Sequence, residues 1–179
     1  MADPTAPQIT GFVPSAQTAR AYRDALGTFT TGVTVVTAQG AQGPVGFTAN
    51  SFASVSLDPP LVLWSVARDA TRFAVFADAD HFAIHILAED QSDDCRRFAR
   101  GDLGFAGETP DRNAHGVPVL RNALARFDCR MHARHEGGDH MILVGRVLEC
   151  HSAGGPPLVF SQGQLGRFDP HPKAARPSP

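Results

Sequence analysis

The run from Gly46 to Val66, GFTANSFASVSLDPPLVLWSV, sets small hydroxyl and amide side chains directly ahead of an apolar segment. Thr48, Asn50, Ser51, Ser54 and Ser56 can donate to a polar ligand, while Ala49, Ala53 and Val55 let a flat ring lie against the backbone. That composition suits the wall of a pocket. A second candidate is the turn Gly138-Asp139-His140, whose imidazole can stack on or hydrogen-bond a planar ligand. A third is the stretch where Ser65, Arg68, Thr71 and Arg72 stand at the entry to an expected helix, a suitable place for an anion. The plainer reading stays open for each: Thr48, Ser51, Ser54 and Ser56 also fit the exposed alternate positions of a hairpin, and His140 and Asp139 fit a polar turn.

These residues need elements to hold them. Ser15 is expected to cap a helix running to about Leu26, with Ala19, Tyr22 and Leu26 on one face and Gly27 as the stop. Val33 to Thr37 is rich in β-branched residues and leads into the Gly40 to Pro44 turn, with Val45 to Ser54 returning as the second strand. Leu61 to Val66 makes a third strand, after which Asp69 caps a helix to about Ala77. Phe82 to Leu87 is a fourth strand, Ser92 to about Arg100 a short helix, and Asp102 to His115 a loop. From Phe127 the set Asp128, Arg130, His132 and Arg134 alternates with Cys129, Met131 and Ala133, which predicts one wet and one buried face. Gly137-Gly138 ends that strand, and Met141 to Cys150 runs back. Six or seven strands with only short helices predict a mainly β, antiparallel small barrel. The Pro-rich ends, 1–14 and 169–179, read as flexible tails around one domain at 15–168.

Composition narrows the chemistry. Sixteen Lys and Arg against eighteen Asp and Glu leave a net charge of −2, so no basic field gathers nucleic acid. Cys95, Cys129 and Cys150 lack the paired spacing of a zinc or redox site and read as structural or incidental thiols of a cytoplasmic protein. No apolar run approaches the ~20 residues of a membrane helix. His132, His135 and His140 resemble a ligand set on paper, but residues three apart on a strand face opposite ways, so no metal is expected. His81 and His85 share a strand face and read as surface or core residues. There is no Gly-x-Gly-x-x-Gly after a strand, so any nicotinamide nucleotide is held by loops.

Four pieces in order, Phe29-Thr30-Thr31-Gly32-Val33-Thr34-Val35-Val36-Thr37, the Thr48 to Pro60 segment, Gly138-Asp139-His140 with Gly145-Arg146-Val147, and Pro157-Leu158-Val159-Phe160, resemble the short-chain flavin reductases. The resemblance runs from about Ala19 to Phe168. It implies an FMN-binding split β-barrel that reduces FMN or FAD with NADH or NADPH and supplies reduced flavin to a partner monooxygenase. It also implies a homodimer with the flavin near the subunit interface. A flavin needs a flat apolar bed, partners for its polar ring edge and groups for its phosphate. We expect the ring on the backbone of Ser54, Val55 and Ser56, with Thr48, Ala49, Asn50 and Ser51 along ring and ribityl chain. The phosphate is expected at Ser65, Arg68, Thr71 and Arg72. In the resembled family a Gly-Asp-His turn meets the nicotinamide, which gives His140 the orienting role and leaves Asp139 beside it. Phe168 can close over the ligand or serve as a dimer contact or core plug. Two other readings are a split-barrel flavoprotein that keeps its flavin and reduces another acceptor, and a noncatalytic flavin- or haem-binding module.

Overall fold

The computed structural model describes residues 11–100, 104, 105 and 107–171. In chain order these form α1 (Ala19–Gly27), β1 (Thr31–Gly32), β2 (Thr34–Gly40), β3 (Gly43–Ala49), β4 (Ala53–Leu57), β5 (Pro60–Ala67), α2 (Phe73–Asp78), β6 (His81–Ile86), α3 (Ser92–Ala99), β7 (Asp111–Arg112), β8 (Pro118–Val119), β9 (Ala125–Gly137), β10 (His140–Ser152), β11 (Leu158–Ser161) and β12 (Gln164–Arg167). Seven strands make one antiparallel sheet ordered β3-β2-β6-β9-β10-β5-β4, beside a β1-β11-β12 sheet and the β7-β8 pair. This is the expected mainly β, split-barrel architecture.

Burial on both faces explains why β2 is so rich in Val and Thr. Val36 and Ala38 enter the main core with Trp64, Val66, Phe76, Phe82, Ile84 and Leu143. Val35 points the other way, into a second cluster with Val33, Leu87, Phe98 and Leu158. Full burial of such side chains contributes roughly 1.5–3 kcal/mol each. The two threonines of β2 are buried with them and must find acceptors. Thr34 Oγ1 donates to the Ala49 carbonyl at 2.7 Å and Thr37 Oγ1 to the Pro118 carbonyl at 2.6 Å. The second bond fastens residues 113–120 as a strap over the outer face of β6. There Val117 and Val119 pack on Ala83, and the rings of His81 and His115 stack at 4.6 Å.

His85 fixes the far end of the strap. It is fully buried, its Nδ1–H donates to the Val35 carbonyl at 3.0 Å, and its Nε2 accepts the Leu120 N–H at 3.1 Å. That arrangement needs a neutral ring, and burial pulls the imidazole down from 6.5 to about 4.

Several local expectations are corrected. Ser15 and Thr18 satisfy each other, Ser15 N–H donating to Thr18 Oγ1 at 2.8 Å and Thr18 N–H to Ser15 Oγ at 3.4 Å. The helix itself starts at Ala19, with Thr18 and not Ser15 at its N-cap. Among the described residues its apolar face finds no cover, and Tyr22 and Leu26 are 44% and 56% exposed. The strand expected over Val45 to Ser54 is two strands, because Asn50 to Phe52 leave the ladder. Asp69 caps nothing: α2 begins at Phe73 behind Arg72. Asp128, assigned to the wet face of β9, is 1% exposed, held by Asn113 Nδ2 at 2.8 Å and by the Arg126 guanidinium at 3.1 Å. Of the expected tails, 11–14 and 169–171 are exposed coil, and the rest lie outside the described residues.

Two outcomes follow from this packing. An unfolded His85 binds its proton near pH 6.5 and the folded one only near pH 4. Its contribution is therefore intact above about pH 6.5 and is lost as pH falls toward 4, on the order of 3 kcal/mol. Urea midpoints from pH 7.5 down to 4.5 should fall more steeply for the natural protein than for His85→Gln, and parallel curves would contradict the assignment. A Cβ on Gly145 would sit 2.5 Å from Phe82 Cζ and 3.0 Å from Cys129 Cβ. Gly145→Ala should cost about 1–3 kcal/mol by urea unfolding with the slope unchanged.

Candidate functional site

β5 organises the candidate residues. Its inward side chains Val62, Trp64 and Val66 are buried, and β10 pairs it along nearly its whole length, from Arg146 opposite Leu61 to His140 opposite Ala67. On the other flank β4 covers only the first half, from Leu57 opposite Pro60 to Ala53 opposite Leu63. Beyond Leu63 that flank carries no strand among the described residues. Ser51 occupies its start, accepting the Ser65 N–H at 2.9 Å and donating to the Ser65 carbonyl at 3.2 Å.

The residues expected to bed a ring lie on β4, the outer edge of the sheet. A register shift between Ser54 and Ser56 leaves Val55 without a cross-strand partner, a β-bulge that puts irregular backbone at an open edge. Ser54 and Val55 are exposed, and Ser56 is half-buried. The residues before β4 are used differently. Ala49 turns into the main core, and Thr48 Oγ1 donates to the Cys95 carbonyl at 2.7 Å, joining β3 to α3. Asn50 is exposed.

The group expected to hold a phosphate is dispersed by prior engagements. Arg72 donates to the Gly46 carbonyl and, at 3.2 Å, to the Phe98 carbonyl, and its guanidinium lies 5.3 Å from the centre of the Phe47 ring. It therefore links β3, α2 and the end of α3. Arg68 ion-pairs with Glu136 and lies 5.6 Å over the Phe73 ring. Thr71 is exposed, and Ser65 is fixed through its backbone by Ser51. α2 has six residues and starts at Phe73, so the helix-end amides invoked for the anion are not at residues 69–71.

The turn lies at the opposite end of β5. Gly138 and Asp139 form a two-residue hairpin loop, with Gly138 at φ +74, and His140 is the first residue of β10 rather than part of the loop. The Asp139 carbonyl accepts the Arg68 N–H at 2.9 Å, and His140 Nδ1 lies 2.8 Å from Asp139 Oδ1. The hydrogen bond from His140, helped by its charge, holds the Asp139 carboxyl below its ordinary range. Strand residues advance about 3.3 Å each, so the Ser54 and His140 levels on β5, at Val62 and Ala67, are roughly 16 Å apart. The open flank of β5 lies between them. Phe168 follows β12 and is 60% exposed.

Other polar groups resolve into structural uses. Burial pushes the Cys95 thiol up, and burial beside the Asp128 charge pushes Cys129 up to about 12, so both stay protonated. His132 and His135 are exposed. The histidine that does meet carboxylates is His151, whose Nε2 lies 3.2 Å from Glu149 and 3.6 Å from Asp128. The Arg126 guanidinium already neutralises that Asp128 oxygen. This group escaped the sequence because two register shifts between β9 and β10 bring it together. Glu136 and Phe73 were missed as well; neither carries a local pattern, and the Gly138-Asp139 turn opposite Arg68 was the usable clue.

The Flavin reductase like domain family matches residues 26–169. The chain is 54% identical over 157 residues to the FMN reductase (NADH) SmoA of Agrobacterium fabrum, covering 88% of this chain and 90% of that one. It is 48% identical over 146 residues to the reductase component of the flavin-dependent trigonelline monooxygenase of Acinetobacter baylyi, covering 80% of this chain but 47% of that longer protein. The structure of the NADH:FAD oxidoreductase SgcE6 of Streptomyces globisporus superposes with a TM-score of 0.82 at 35% identity, over 95% of this chain and 99% of that one. With the family match spanning most of its length, the chain belongs to the flavin reductase family and is an NAD(P)H-dependent oxidoreductase that acts on flavin.

Proposed function

We propose that this reductase takes FMN or FAD along the open flank of β5 and passes the reduced flavin to a separate monooxygenase. The carrying observation is the pairing of a bulged, exposed edge at Ser54 to Ser56 with a hairpin turn at the far end of the same strand. Flavin, when bound, supplies the hydride acceptor; the chain's task is binding and orientation. Backbone groups at the bulge meet the polar ring edge, and Ser51 and Asn50 flank the ring and ribityl chain. Thr71 and Ser65 stand nearest the β5 exit, where an anion belongs; Arg68 is held by Glu136 and Arg72 is committed elsewhere. His140, with Nδ1 turned to Asp139, presents Nε2 to the nicotinamide. Phe168 is free to close over the ligands.

We further propose a homodimer. Leu57, Leu148 and Val55 are 95%, 44% and 49% exposed. The register sets Leu57 opposite Pro60 and Arg146 opposite Leu61, so Leu57 and Leu148 crowd one end of β5. A second copy is the simplest cover for such a patch beside the site. Among the described residues no helix is long and apolar enough to cross a membrane.

Purified protein should oxidise NADH, or NADPH, only when FMN, FAD or riboflavin is added, and relative rates name both preferred partners. Turnover without added flavin would favour a flavoprotein that retains it, and no turnover under any combination would remove the proposal. His140→Ala should slow NADH oxidation by more than about tenfold with flavin affinity little changed; unchanged turnover would take the role from His140. Light scattering should find twice the 19.0 kDa chain mass, and Leu57→Glu should halve it.

A further inference from the structure

We infer that Glu136, acting through Arg68, is a positioning residue for nicotinamide binding: the pair clamps the hairpin tip that carries His140 onto the end of β5. This rests on the reading that the Gly138 to His140 turn meets the nicotinamide.

The tip needs a clamp because its support runs out. β6 pairs with β9 only from Ile86 opposite Ala125 to His81 opposite Arg130, so the last stretch of β9 projects beyond it. There Arg134 holds the outer side through the Ala77 and Ala79 carbonyls. On the inner side the β5–β10 ladder ends with His140 opposite Ala67. Past that pair the contacts converge on Arg68. Its N–H donates to the Asp139 carbonyl at 2.9 Å, its guanidinium pairs with the Glu136 carboxylate, and its side chain lies 5.6 Å from the Phe73 ring centre. One residue thus joins the β5 exit, the first residue of α2, the end of β9 and the turn.

Glu136 has a second effect. Its carboxylate competes for the guanidinium that a flavin phosphate would otherwise attract, and so keeps Arg68 at the turn. Glu136 is 79% exposed and the Arg68 side chain 37%, and such a pair adds little to global stability. Losing it should leave the fold intact and loosen the tip, which separates positioning from folding.

The test compares the natural protein with Glu136→Gln and Arg68→Gln. In Glu136→Gln, KM for NADH should rise about three- to tenfold, with kcat within about twofold and flavin bound no more weakly than in the natural protein. In flavin-free protein, the Arg68 amide should exchange its hydrogen faster, while thermal unfolding stays put. Rising salt should raise KM more steeply for the natural protein than for Glu136→Gln, because an exposed pair is screened in addition to the charged nucleotide. The reversed pair, Arg68→Glu with Glu136→Arg, should recover part of the loss. Natural KM and exchange rates in Glu136→Gln, beside a defective His140→Ala, overturn the clamp alone. A normal His140→Ala overturns the assignment beneath it, whatever the exchange data show. An Arg68→Gln defect confined to flavin Kd makes Arg68 a phosphate ligand and overturns the proposal.

Discussion

The unequal flanking of β5 is the constraint on which the rest of the structure depends. One side is zipped to β10 through seven consecutive residue pairs, from Leu61 to Ala67. The other is covered by β4 for half its length, after which Asn50 to Phe52 depart from the ladder and Ser51 takes up the backbone groups of Ser65. Buried Val62, Trp64 and Val66 anchor the strand to the core, so its half-covered flank is a rim fixed from inside.

The core is arranged to serve that rim. Tilted and edge-on contacts of Trp64 with Phe47, Phe76 and Phe82 brace β5 from inside the barrel. Arg72, lying on Phe47 and capping carbonyls from β3 and α3, ties the same region to the helices. The strap over β6 closes the opposite face, its hydrogen bonds coming from Thr37 and His85. Polar side chains buried in this protein are mostly fasteners between elements, which is why several resemble ligand-binding groups when read along the chain.

That double use explains what the sequence disclosed. Strand positions were legible where one face is apolar, as in β5, or where β-branched residues run together, as in β2. The Gly138 turn was legible because a two-residue loop demands a positive φ. The break at Asn50 to Phe52 was not, since Ala49 and Ala53 continue the alternation and only the Ser51 to Ser65 bonds reveal the departure. Thr48 and Arg72 looked like ligand groups because their partners, the carbonyls of Cys95, Gly46 and Phe98, leave no trace in side-chain identity. Asp128 read as exposed because its neighbours alternate, while Asn113 and Arg126, which satisfy it, stand outside that alternation or behind it. Glu136 could be recognised only once the register placed it beside the exit of β5.

The three thiols also differ in what can reach them. Cys95 and Cys129 are buried and held protonated, whereas Cys150 stands exposed on β10. A thiolate-seeking reagent should meet one sulfur per chain. The hairpin that carries His140 at one end therefore offers, toward its other end, a natural attachment point for a fluorophore or spin label.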